Sequence, residues 1–551
     1  VTEAEERKPR SDEARYDPEI TSEFAVPQGL ELARAGAEPE TTSEFAVPEG
    51  LQTPQAPSAE PEGSAFTRPR TYSAKDAPPA FTPAAGMPVV SLVKDAPWQD
   101  RMRTMLRMPV AERPAPEPVQ RADEAGPAVP RVLDLTLRIG ELLLAGGEGA
   151  EDVEAAMFAV CRSYGLDRCE PNVTFTLLSI SHQPSLVDDP VTASRTVRRR
   201  GTDYTRLAAV FRLVDDLTDP ETHVSLEEAY RRLAEIRRNR HPYPGWALTL
   251  ASGLLAGAAS VLVGGDLIVF VAAAVGAMLG DRLAWLLAGR GLPEFYQFTV
   301  AAMPAAAIGV AFALAHVDVK ASAVVTGGLF ALLPGRALVA GVQDGLTGFY
   351  ITASARLLEV MYFFVGIVAG VLMVLYFGVK VGGTLNPDAA LAVSKRPLIQ
   401  IAASMLLSLT FAVLLQQERS TVLAVTLNGG VAWSVYGALH YPGGLSPVAS
   451  TAVAAGLVGL FGQLLSRYRF ASALPYTTAA IGPLLPGSAT YFGLLSIAQS
   501  NVDKGLVSLA KAASLAMAIA IGVNLGSEIS RLFLRIGSAG KRRAAKRTRG
   551  F

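Results

Sequence analysis

The pattern of apolar and polar positions divides the chain into three regions. Residues 1–130 show no sustained period; Pro, Ala, Glu and Ser dominate and apolar side chains are scattered. A segment of that kind has too little apolar surface to bury against its ordering cost, so it is expected to be disordered. It holds one internal repeat, TSEFAVPQGL at 21–30 and TSEFAVPEGL at 42–51. Two copies of one motif suit bivalent docking as well as a bland duplication.

Residues 131–240 carry short periodic runs. Leu135, Ile139 and Leu142 fall on one helical face. The glycines of AGGEGAED close that helix and open another from about Ala150 to Tyr164. NVTFTLLSISH at 172–182 has strand composition, with Val173, Phe175 and Leu177 alternating, and SRTVRRR at 194–200 is expected to pair with it as an exposed basic strand. Leu207, Phe211 and Val214 predict a further helix. Ser225 and Glu228 form a capping box for the next, with Leu226, Tyr230 and Leu233 facing inward and Pro242 and Pro244 ending it. The region reads as a small α/β domain.

From Trp246 the chain is almost continuously apolar. About ten segments approach the roughly 20 residues that a bilayer core requires: 246–264, 267–288, 296–315, 321–341, 357–378, 398–416, 420–440, 446–466, 472–495 and 506–529. Two of them contain the same tetrapeptide, Leu-Leu-Pro-Gly, at 332–335 and at 484–487. Superposing the copies lays the fourth segment on the ninth and the fifth on the tenth. The expected architecture is a polytopic all-α membrane protein, with membrane repeats at 245–378 and 396–530 and a basic tail at 531–551. Five helices per repeat is an odd number, so the halves would be inverted relative to each other.

The repeated prolines matter chemically. Proline lacks the backbone N–H and breaks a helix. In hydrocarbon a break survives only where protein or a water-filled cavity surrounds it. Matched breaks in two halves point to a transporter's central site, here Pro334 and Gly335 with Pro486 and Gly487. Asp344 follows the first break by nine residues past Gly335, and Ser496 holds the matching place after the second. Asp344 suits an ammonium acceptor or a proton carrier, or a solvated loop aspartate. Asn428 lies well inside the seventh segment and suits either substrate binding or a helix–helix hydrogen bond. Asp281 with Arg282 reads as an interfacial pair and Glu528 as structural. Gly253/Gly257, Gly341/Gly345 and Gly366/Gly370 are small-residue pairs for close helix crossings, within one chain or in a homo-oligomer.

Charge sets the orientation. The 50 basic and 50 acidic residues cancel, but not locally. Arg231, Arg232, Arg237, Arg238 and Arg240 precede the first segment, and Arg531, Arg535, Lys541, Arg542 and Arg543 follow the last. Both ends are therefore expected in the cytoplasm, with an even number of spans in the plasma (inner) membrane. Arg467 and Arg469 agree; Lys380, Lys395 and Arg396 fall in a loop this topology places outside. The acidic opening residues have no apolar stretch of the kind that leads a secretory signal.

Enzymatic chemistry finds little support. No G-x-x-x-x-G-K-[ST] occurs, and Gly146, Gly147 and Gly149 follow a helix, so they read as a turn, with anion binding at a helix terminus as the other option. Cys161 and Cys169 match neither a redox pair nor a zinc site, and the five histidines show no ligand spacing. No cofactor, metal or nucleic acid is expected.

The order of parts resembles the threonine/serine exporter (ThrE) family: LRIGELLLAGGEGAEDVEAAMFAVCRSYGL, then NVTFTLLSISH, then a basic strand, then about ten spans, with AIGPLLPGSATYFGLL in the second half. The resemblance covers roughly residues 131–530. It implies export of threonine and serine from the cytoplasm driven by protons, with the lipid bilayer as surroundings. An exporter of another small polar solute, or a membrane-anchored sensor, are the competing readings. A mere anchor would need no helix breaks.

Overall fold

The computed structural model describes residues 98–106, 113, 128–382 and 396–548, apart from 186, 199–200, 202, 220, 240–241, 318 and 470–471. Both TSEFAVP copies and Lys395 lie outside this range. Trp98, Met102 and Met105 recur at helical spacing, and Trp98–Leu106 forms helix α1 with all three buried. Trp98 stacks on Phe211 with ring centroids 6.1 Å apart. This corrects the expectation of disorder for that part of residues 1–130. Nine residues with one apolar stripe do not stand out against a Pro-rich background, yet they bury three large side chains.

Next come α2 (Val129–Ala145), α3 (Ala150–Ser163), strands β1 (Cys169–Val173), β2 (Leu177–His182) and β3 (Val191–Thr196), then α4 (Tyr204–Thr218) and α5 (Leu226–Arg238). Leu135 and Ile139 of α2 are fully buried, as their spacing predicts. The sheet has the order β1-β2-β3 and is antiparallel throughout, so the small α/β domain expected here is α+β in arrangement. The single strand expected over 172–182 is two strands of a hairpin. Thr174 N–H and Oγ1 both donate to the Leu177 carbonyl, at 2.9 and 3.0 Å, and close the turn. The turn shifts the alternation: Leu178 and Ile180 face the core and Leu177 is exposed. The strand paired with β2 is Val191–Thr196, which takes in only residues 194–196 of the basic strand expected over 194–200, with Arg195 opposite Leu178. Asp203 and Ser225 cap α4 and α5, accepting from Arg206 N at 2.9 Å and Glu228 N at 3.2 Å.

Eight helices among the described residues are long and apolar enough to cross a membrane. They are α6 (Gly245–Leu262), α7 (Leu267–Gly289), α8 (Glu294–Leu314), α11 (Tyr350–Lys380), α12 (Pro397–Leu414), α13 (Arg419–His440), α14 (Pro447–Arg469) and α17 (Val502–Thr548). Helix α11 begins at Tyr350 and not near residue 357, which brings Arg356 inside it. Helix α17 runs on through the basic tail instead of ending near residue 529.

The two remaining apolar segments are broken. In the first, α9 (Ala321–Leu329) passes through a 3-10 turn at Phe330–Leu332 to α10 (Gly335–Leu346), with a bend of 56°. In the second, α15 (Leu474–Thr478) is followed by a 3-10 turn at Gly482–Leu484 and α16 (Gly487–Ala498). Pro334 and Pro486 hold the same position before α10 and α16, with φ/ψ of −78°/42° and −80°/34°. Neither ring can donate the hydrogen bond that would carry a helix through.

The packing of the two halves matches. Helix α8 crosses α11, and α14 crosses α17; α10 lies on α11, and α16 lies on α17. The halves also exchange contacts, α10 touching α17 and α16 touching α11, while α6 meets α12. Glycine makes both main crossings close. A Cβ at Gly370 would overlap the Thr299 carbonyl of α8, and one at Gly526 the Gly456 carbonyl of α14.

The N-terminal elements dock on this bundle through backbone. Tyr204 N and Thr205 N, at the start of α4 where an amide has no acceptor within its own helix, donate to the carbonyls of Leu415 and Gln416 just past α12, each at 3.1 Å. Tyr204 Oη lies 3.3 Å from Thr478 Oγ1. One buried apolar cluster runs from α2, α3 and α4 into α13, α14 and α15.

Candidate functional site

The site starts with the turn between α2 and α3. Gly147 takes φ of +90°, which an L side chain resists, and Glu148 N donates back to the Leu143 carbonyl at 3.1 Å. The turn drives Glu148 inward until it is 4% exposed. Helix α3 then opens with unsatisfied amides, and Ala150 N donates to Asp344 Oδ1 at 3.2 Å. A helix N-terminus thus does bind an anion here, and the anion is a carboxylate of the chain itself.

Asp344 lies in the last turn of α10 and Arg356 in the second turn of α11. Arg356 Nη1 is 3.1 Å from Asp344 Oδ2, with side chains 9% and 2% exposed. The contact is off the hydrogen-bonding line, so charge holds it more than alignment does. Arg356 Nη2 donates to the Glu148 carbonyl oxygen at 3.0 Å. Ser472 Oγ donates to Glu148 Oε2 at 3.0 Å and accepts from Leu474 N at the start of α15. Glu148 therefore ties the N-terminal elements to both broken segments, to α10 through Arg356 and Asp344 and to α15 through Ser472. Burial pushes the Glu148 carboxyl up to about 7, against the opposing hydrogen bond from Ser472.

These groups line a cavity of about 260 Å³, with Gln343, Gln463 and Asn524 as further polar walls. That is below the range of drug-sized pockets and suits a molecule of few heavy atoms. Gln343 Nε2 donates to Asn524 Oδ1 at 3.0 Å, joining α10 to α17 across the halves.

The residues singled out from sequence fall in three places. Asp344 lies in the cavity wall. The breaks meet each other: Gly487 lies so close to Leu333 that a Cβ would overlap its side chain. Their shared void is small, about 30 Å³, and apolar, lined by Phe330, Leu333, Phe411 and Leu485 among others. From Gly335 to Asp344 along α10 is about 13 Å at 1.5 Å per residue, so the breaks and the polar cavity are separate features. Asn428 does not line the cavity; its Nδ2 lies 3.4 Å from the Val458 carbonyl of α14. Glu528, read as structural, does line it. Sequence reasoning passed over Arg356 and Glu148. Arg356 was legible as a cation beside an apolar run, but only the earlier start of α11 puts it inside the helix. Glu148 carried no signal beyond its place in a glycine turn.

Two family profiles match the chain. "Putative threonine/serine exporter" covers residues 134–378 and "Threonine/Serine exporter, ThrE" covers residues 400–529. The "Probable threonine/serine exporter" of Mycobacterium tuberculosis is 34% identical over 437 residues, 76% of this chain and 82% of the relative. The chain belongs to the threonine/serine exporter family. The "Threonine/serine exporter" of Corynebacterium glutamicum is 30% identical over 455 residues, 80% of this chain and 90% of that relative. No solved structure matches. The two profiles divide the chain between α11 and α12, at the boundary between the two halves of the bundle. Family membership and the eight apolar helices make this a multi-pass membrane protein.

Proposed function

We propose that the protein exports threonine and serine from the cytoplasm in exchange for protons, and that substrate binds in the cavity between Asp344 and Arg356. The carrying observation is a buried, opposite-charge pair in a polar cavity of amino-acid size. A zwitterion is itself such a pair. Its carboxylate takes Arg356 and its ammonium takes Asp344, so each of the two buried charges meets an opposite charge on loading and neither is left bare. Gln343 and Asn524 stand ready for a side-chain hydroxyl. The names of the two relatives support the substrate class.

In this reading the bundle is a five-plus-five inverted repeat of ten membrane segments, two of them broken. The matched angles at Pro334 and Pro486 and the exchanged contacts of α10 and α16 support it. The breaks serve as the flexing joint where the halves meet, with Pro334, Gly335, Pro486 and Gly487 at its centre, and Asn428 steadies α13 against α14. The termini and the N-terminal domain face the cytoplasm of a cell whose plasma membrane holds the protein, as the flanking arginine and lysine clusters favour. Efflux of labelled threonine and serine from preloaded cells tests the proposal. Expression should speed efflux, and collapse of the proton gradient should remove the gain. Equal efflux with and without the gene would reject it.

A further inference from the structure

The cavity holds two buried carboxylates, Glu148 and Asp344, but its buried guanidinium serves them unequally. Asp344 has the Arg356 charge at 3.1 Å and the amide at the start of α3. Glu148 offers Arg356 only its backbone carbonyl, and its carboxylate accepts from Ser472 alone among the described residues. The other charged groups facing the cavity are Arg103 from α1, Glu151 and Asp152 from α3, and Glu528 from α17. Arg103 is paired with Asp152. Arg103 and Arg356 both favour an ionised Glu148 and Asp344 opposes it, but no guanidinium pairs directly with the Glu148 carboxylate, and the cost of desolvating it outweighs their help.

We propose that Glu148, a residue of the N-terminal domain and not of the membrane helices, is the group that carries the exchanged proton. This rests on the proton-exchange reading above and deepens it. With the cavity empty Glu148 is the carboxylic acid, O–H, hydrogen-bonded beside Ser472. An ammonium arriving between Glu148 and Asp344 favours the ionised form of both. The Glu148 O–H bond breaks, the proton leaves to water, and the carboxylate keeps the electron pair. Proton and substrate thereby exclude each other from one cavity, the reciprocity that an exchanger requires. Pairs of carboxylates whose surroundings drive their acidities apart divide roles in this way, and the elevated Glu148 value agrees. The placement also gives the N-terminal domain a reason to be tied to the bundle: it delivers a transport group to the site between the two halves.

The test uses the full chain in proteoliposomes, with labelled threonine as probe. For the wild type, threonine affinity should fall about tenfold as the pH drops from 8 to 6, since one unit below the proton's affinity most sites are protonated. Glu148→Gln should still bind and exchange threonine for threonine, with affinity flat across that range and no acceleration by a proton gradient. Glu148→Asp should restore the pH dependence. Ser472→Ala removes a hydrogen bond that favours the anion, so its transition should move to higher pH; this variant serves if the Gln protein folds poorly. A Glu148→Gln protein that keeps the wild-type pH profile, or a Ser472→Ala profile that does not move, would overturn the assignment of Glu148. A wild type indifferent to both pH and the proton gradient would instead overturn the proton-exchange reading itself.

Discussion

Replacing Asp344 by Asn tests the central pair directly. Asn keeps an oxygen where Ala150 N donates, so that hydrogen bond survives and only the charge is lost. Arg356 then stays buried, with the Glu148 carbonyl as an acceptor and no compensating anion at 3.1 Å. Breaking a buried pair from one side costs about 3–5 kcal/mol, whereas removing both charges together is often near neutral. Arg356→Met should therefore destabilise alone, leaving Asp344 bare, and the double variant should recover about 2–3 kcal/mol relative to the sum of the singles. Thermal unfolding of the four purified proteins in one detergent reads this coupling, and threonine efflux is read on the same set. The expected result is a double variant with recovered stability and no transport. Strict additivity of the two singles would refute the ion pair. Wild-type efflux from a well-folded double variant would refute its role in holding the zwitterion.

Three further outcomes are expected. Pro334→Ala and Pro486→Ala should each lower efflux more than protein level, because they let a helix run through the joint; normal efflux per protein from both would count against the breaks as moving parts. Glu154 accepts from Val173 N at 3.1 Å, and burial raises its carboxyl to about 7. Its folded value lies above its unfolded one, so its stabilisation is complete below about pH 4.5 and is lost as pH rises through about 7, roughly 3 kcal/mol for one group. Glu154→Gln should flatten that part of the full chain's stability–pH curve, and an unchanged slope would remove Glu154 as its source. A reporter fused after Phe551 should lie in the cytoplasm, and one found outside would reject the ten-segment topology.

Much of this architecture is local and was legible along the chain. Apolar length marks the spanning helices because a bilayer sets a minimum length, and the Leu-Leu-Pro-Gly copies mark the breaks because proline cannot donate. The Ser225 cap and the buried face of α2 follow from spacing alone. What the sequence could not supply is anything that depends on a turn's phase or on distant partners. Three residues of hairpin turned Leu177 outward and Leu178 inward, which composition cannot register. The cavity is assembled from groups 194 and 208 positions apart, Ala150 with Asp344 and Glu148 with Arg356, and 324 apart for Glu148 with Ser472. A glutamate in a glycine turn looks solvated in sequence. Its burial comes from partners far along the chain, Arg356 on α11 and Ser472 before α15, which hold it against both broken segments.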